Sequence, residues 1–224
     1  MVTIIVGKEG EDERFIVHKE FACYYSPVLK AAFESSFTEG QTQCYRLEDV
    51  TVRVIRLLLC FFYTGKVDTS LQRYISAGFE AVADQELQQE IDFIHFWVLA
   101  DRLLIPSLQN AIVRELEIMW NLRTDRAVDV SWVPFVYEHT SVDSPLRALT
   151  LDHCAYGLHS DMFLEDPAAF PHEMLLDLAR LMSSGITPTT IYEKDENGRD
   201  DEERPRYKYK RTWGSYHVPE GENS

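Results

Sequence analysis

The chain has 224 residues, 45% of them hydrophobic, which allows one or two domains with a sizeable core. Its formal net charge of -15 opposes adsorption to the phosphate backbone of nucleic acids and to anionic membranes, since both need clustered Lys and Arg. The four cysteines (Cys23, Cys44, Cys60 and Cys154) form no CxxC pair, so they read as free thiols in a reducing compartment.

The opening run Val2 to Val6 is β-branched and turns polar at once, with no basic segment before it, so it predicts a strand and no signal peptide. Gly7 to Asp12 supplies glycine and charge, and Phe15-Ile16-Val17 closes a predicted hairpin. A short helix is predicted from His18 to Tyr25. Ser26-Pro27 then restarts the chain: serine can accept from free backbone N–H groups, and proline at the first helical position sacrifices no bond. Val28, Leu29, Ala32 and Phe33 make one apolar stripe on the helix that follows.

Ser35 to Thr42 is polar apart from Phe37 and reads as a loop, and Cys44 to Leu47 as a third strand. Glu48 to Thr51 carries helix-start signals. Val52, Ile55, Leu58, Leu59 and Phe62 fall on one helical face, and Gly65 suits the stop. The most apolar run, Val54 to Tyr63, is broken by Arg56 and falls far short of a membrane span. Residues 66–90 mix a strand candidate at Val67 with an acidic, polar stretch and read as an insertion. Ile91 to Leu104 describes a mostly buried helix, which Ile105-Pro106 breaks before another begins at Leu108.

The second half is helical in pattern. Trp132 to Tyr137 contains Pro134, so its helix should be short or kinked. Ser144-Pro145 repeats the earlier cap signature, and Met174, Leu175, Leu178 and Leu181 mark a further amphipathic stripe. Residues 193–204 are dense in both charge signs and poor in apolar residues, which cannot offset ordering entropy. Tyr207, Tyr209, Trp213 and Tyr216 break that pattern and suggest docking back onto the body.

Six segments in this order resemble the BTB/POZ family. They are Val2-Thr3-Ile4-Ile5-Val6-Gly7, Phe15-Ile16-Val17-His18-Lys19, Ser26 to Phe33, Ser36-Phe37-Thr38-Glu39-Gly40, Phe62 to Val67, and Leu99 to Leu108. The tail half is similar to the helical extension of fungal BTB-only proteins, at Ser144-Pro145-Leu146-Arg147 and Leu175-Leu176-Asp177-Leu178-Ala179. The resemblance implies an α+β fold: a BTB/POZ-type helical cluster with a small flanking β-sheet over 1–118 (66–90 an insertion), an all-α extension over 119–183, and a largely disordered charged tail over 184–224. It implies protein partners, through self-association or docking, and in many members a cullin scaffold for which the domain is a ubiquitin-ligase substrate adaptor. The family's cullin-contacting triplet, a hydrophobic residue, any residue, then glutamate, is met by Phe37-Thr38-Glu39, which makes Phe37 and Glu39 the expected partner-binding residues. The sequence starts at the family's opening strand, without the preceding helix and strand that dimeric members exchange; this is similar to elongin C, and a truncated gene model would look the same, so an exchanged dimer is left open.

Three other patterns have competing readings. His18 follows a strand, but no serine, cysteine or carboxylate stands at a catalytic spacing from it, so it reads as a structural junction. His153-Cys154 and His159 lack the paired spacing of a zinc site and read as helix-face packing, while His95 reads as a hydrogen-bonded core residue. The basic stretch Arg204 to Arg211 reads as a solvated tail or a nuclear import signal. No catalytic, metal or cofactor residues are expected, nor direct contact with nucleic acid or membrane, and the expected location is cytoplasmic or nuclear. The rival to a ligase adaptor is an oligomerising scaffold or a transcription-associated co-factor; an enzyme would need a pocket with converging polar groups.

Overall fold

Strand β1 (Val2–Val6) is buried along nearly its whole length because it is the middle strand of three, in the order β2-β1-β3. It pairs antiparallel with β2 (Glu13–Val17), Val2 opposite Val17, and parallel with β3 (Cys44–Leu47), Thr3 opposite Cys44. In a computed structural model, the residues described are 1–8, 10, 12–68, 79–122, 129–158, 161–183, 189–191, 206–208 and 216–220. By contact they fall into two units, Met1–Met119 with Val218–Ser224, and Trp120–His217.

In the first unit, α1 (Lys19–Tyr25) and α2 (Pro27–Glu34) meet at Ser26. The Ser26 Oγ accepts from the Leu29 N–H at 3.1 Å, as the Ser-Pro signature predicts, and also donates to the Leu103 carbonyl at 2.8 Å. Residues 38–42, expected as loop, form a single turn of helix, α3 (Thr38–Thr42). With no apolar stripe, this turn left no periodic trace in the sequence. Helix α4 (Val52–Thr64) is capped by the Thr51 hydroxyl at its start and by Gly65, at φ 66°, at its end. Its buried face is broader than the predicted stripe: Val54, Leu57 and Phe61 join Ile55, Leu58 and Phe62, whereas Val52 and Leu59 are half-buried.

Val67 and Asp68 are irregular, so the strand candidate at Val67 has no counterpart; 69–78 lies outside the described residues. Helix α5 (Phe79–Arg102) starts twelve residues before Ile91, inside the segment read as an insertion. Residues 79–90 are rich in Ala, Glu, Gln and Leu, strong helix formers that supply propensity without an apolar periodicity. From Phe93 to Ala100 every residue except His95 is buried, so this stretch is the central rod of the unit. The helix ends at Leu104 (φ 54°), where the Ile105 N–H reaches the Ala100 carbonyl and the Leu104 N–H reaches that of Asp101. Helix α6 (Pro106–Leu122) then buries Leu108, Ile112, Val113 and Leu116.

The second unit holds α7 (Val133–His139), α8 (Pro145–Gly157), α9 (Met162–Glu165), a 3-10 turn at Pro167–Ala169, and α10 (His172–Ser183). Pro134 sits in the first turn of α7, where its missing N–H costs nothing, so α7 is short without a kink. The Ser144 hydroxyl accepts from the Leu146 N–H at 3.2 Å. Of the tail expected to be largely disordered, the described residues include β4 (Thr189–Ile191) paired antiparallel with β5 (Arg206–Lys208), and a buried Tyr216 that donates to Asp152. The remainder of that tail, including most of the basic stretch, lies outside the described residues. The α+β architecture is as expected, a helical cluster with a small three-stranded sheet followed by a helical extension; no helix among the described residues is long and apolar enough to cross a membrane.

Candidate functional site

Residues 35–43 form a protrusion held by its own backbone. The Ser35 hydroxyl donates to the Ala32 carbonyl (2.8 Å) and accepts from the Phe37 N–H (3.2 Å). A Cβ on Gly40 would sit 1.8 Å from the Ser35 carbonyl oxygen, so only glycine lets α3 close against the end of α2. At the far end Gln43 takes a left-handed conformation (φ 53°), and its amide donates to the carbonyls of Phe33 (2.9 Å) and Gly40 (2.6 Å). Lys19 Nζ donates to the Gln43 side-chain oxygen (3.0 Å) and to the Phe33 carbonyl (3.1 Å). The protrusion is therefore fixed at both ends. Phe37, at its tip, is 74% exposed and does not fold back onto the helix pair; Glu39 lies in the first turn of α3, half-buried.

A second exposed surface was not anticipated from the sequence. Phe21 and Tyr24 on α1 are 40% and 77% exposed, and Tyr63 at the end of α4 is 47% exposed. Phe21 packs on Tyr63 with ring centroids 5.0 Å apart, and His18 meets both edge-on at 5.9 and 5.8 Å. The Tyr63 hydroxyl accepts from the His18 N–H (3.2 Å) and lies 2.9 Å from His18 Nδ1. His18 thus serves the strand-to-helix junction, as its position suggested. Tyr24 is tied inward through Tyr25, which stacks on the core rings Phe61 and Phe62. These rings are preorganised apolar surface that needs little ordering to bind. The sequence cue was an aromatic run, Phe21, Tyr24 and Tyr25, whose i, i+3 members emerge on one face of α1.

In the second unit, His153 stacks on Trp120 with centroids 3.9 Å apart, and Trp120 on Trp132 at 5.7 Å. Cys154 is buried, and His159 lies outside the described residues. A cleft of about 310 Å³ between Val142, Leu151 and Asp177 is bordered by Arg147. That guanidinium is already engaged: it donates to the Tyr137 carbonyl, to Thr140 Oγ1 (3.0 Å) and to Glu173 (2.9 Å), and stands 4.6 Å over the Tyr137 ring. The Tyr137 hydroxyl donates to Asp177 (3.3 Å); burial and the Asp177 carboxylate both push its pKa well above the ordinary tyrosine value. Arg147, Tyr137 and Asp177 thus join α7, α8 and α10.

The model of the BTB/POZ domain family matches residues 2–117, just over half of the chain. A TD and POZ domain-containing protein 4 of Mus musculus is 32% identical over 116 residues, a stretch that is 49% of this chain and 30% of that relative. That match spans under a third of the relative's length, and the family model covers residues that lie within the first unit. Strand order, the Ser26 cap, the buried α5 and the exposed rings of α1 and α3 are what that half of the sequence encodes, and the chain belongs to the BTB/POZ domain family, whose domains are protein-interaction modules.

Proposed function

We propose that the chain is a substrate adaptor that docks a cullin-type scaffold through Phe37 and Glu39. The observation that carries this reading is the isolated, 74% exposed ring of Phe37 at the tip of a protrusion fixed at both ends. Burying a rigid phenyl in a partner pocket gains hydrophobic free energy at little entropic cost, and Glu39 at the rim favours a basic partner surface. The chain's acidity would assist the encounter with such a surface. A specific, stable contact would cover on the order of 800 Å² per partner. Phe37→Ala should weaken cullin binding by about 2 kcal/mol, roughly 30-fold, in calorimetric titration. Equal affinity of variant and parent, or none in the parent, overturns the proposal.

A second reading, an oligomerising scaffold, is favoured by the surface of Phe21, Tyr24 and Tyr63. Light scattering distinguishes it. Self-association at micromolar concentration that Tyr24→Glu abolishes and Phe37→Ala leaves intact would assign that surface to a second copy. A strictly monomeric parent would remove this reading.

A further inference from the structure

Helix α6 buries two amide side chains, Gln109 and Asn110; Gln109 donates to Asp101, close in sequence, whereas Asn110 does not pair locally. Asn110 is 4% exposed, and Leu108, Ile112 and Val113 around it are wholly buried. Three of the four hydrogen bonds its amide can form go to a segment more than a hundred residues away. Asn110 Oδ1 accepts from the Val218 N–H (2.7 Å), while Nδ2 donates to the Val218 carbonyl (2.9 Å) and to the Glu220 carboxylate (2.8 Å). One residue is thus gripped by both its main-chain groups, and the carboxylate two residues on completes the set.

This mode of contact reads backbone. In extended chain, residues i and i+2 point to the same side, so Glu220 returns to the amide that holds Val218. Pro219 fixes its own φ and restricts Val218 to extended conformations, so the Val-Pro-Glu sequence is prearranged for the slot. Val218 is half-buried and Pro219 and Glu220 are exposed, so the grip depends on no deeply inserted side chain. Arg114, one turn along α6, donates from Nε to the Asn110 main-chain carbonyl (3.3 Å). Hydrogen bonds of this kind are modest in net worth, because water replaces them when the segment leaves. A contact of this kind can exchange.

We propose that Asn110 is the centre of a peptide-binding slot on α6, occupied in cis by Val218–Glu220 as a displaceable latch. Its ligand class is an extended peptide with a carboxylate two residues after the gripped residue.

The test uses the full chain and a fluorescent peptide of the sequence Tyr216 to Ser224. In the parent the tethered segment competes at high local concentration, so the peptide should bind weakly. Val218→Pro with Glu220→Ala removes the donor and the carboxylate from the tail without touching the helices, and should raise peptide affinity at least 10-fold. Adding Asn110→Ala to that variant should abolish the gain. Nitrogen-15 NMR gives an independent reading: the Asn110 side-chain amide signals should move in the tail variant and return with peptide. Equal peptide binding by parent and tail variant, or no binding by the tail variant, overturns the slot. Tail contacts that appear only with rising protein concentration would show a second copy supplying the segment, and overturn the cis latch.

Discussion

Leu104, like Gln43, takes a backbone conformation that its side chain disfavours. It sits at φ 54°, in the position after α5 where glycine is usual, and is 58% exposed. A Cβ in the left-handed region crowds the following carbonyl. The bonds from Leu104 and Ile105 back to Asp101 and Ala100 impose the conformation regardless. Leu104→Gly should therefore raise stability by about 1 kcal/mol in chemical denaturation, relief of the steric cost outweighing the added freedom of the unfolded chain. A destabilised variant would mean that the exposed Leu104 side chain contributes packing. Ser26 shows the converse: its role as a cap was legible from Ser-Pro, but its second bond, to Leu103, joins residues 77 positions apart and only the folded chain brings them together.

Among the elements, the α7–α8–α10 junction depends on Arg147. Its guanidinium satisfies the Tyr137 carbonyl and Thr140 at the end of α7 while pairing with Glu173 on α10. Arg147→Met keeps the length of the side chain but leaves the carbonyl without its donor. It should cost roughly 1–3 kcal/mol in urea unfolding. The pair with Glu173 adds little to this, because that carboxylate is largely exposed. At the same junction Tyr137 gives a pH signature. Its folded pKa is raised by burial and by Asp177, so the stability it contributes is complete below the unfolded tyrosine value near 10 and declines as pH rises above it. Melting temperatures from pH 8 to 11 should fall more steeply for the parent than for Tyr137→Phe; parallel curves would contradict the assignment. The helix α3 carries a third lesson. Gly40 reads in sequence as a loop residue, yet it is where the Ser35 carbonyl leaves no room for a side chain.

For the whole molecule the dominant fact is charge. A net -15 on 224 residues produces self-repulsion that salt screens over a Debye length shrinking from about 30 Å at 0.01 M to about 8 Å at 0.15 M. Raising ionic strength across that range should increase the melting temperature by a few degrees in scanning fluorimetry. A decrease would show that ion pairs such as the exposed Arg102–Asp49 (2.6 Å) and Arg53 with the buried Asp92 (2.7 Å) outweigh the general repulsion. Under the proposed adaptor role the same charge would favour a basic partner surface, and association rates through Phe37 should then fall as salt rises.

Local pattern in the sequence was enough for the helix caps, the breaks at Gly65 and Pro106 and the first three strands, because these depend on neighbours a few residues apart; it missed β4 and β5 and left open whether Phe37 faces outward. It also carried the family resemblance over the first half. Tertiary structure decided which apolar residues face outward. Phe21, Tyr24 and Tyr63 have core composition, and they form a surface only because α1 packs its other face on Phe61 and Phe62 of α4, and α4 packs in turn on α5. It likewise decided the partner of Asn110, since a hydrogen bond across more than a hundred residues has no local period to betray it. Local chemistry chooses elements; the competition among faces for one core chooses what remains outside to bind.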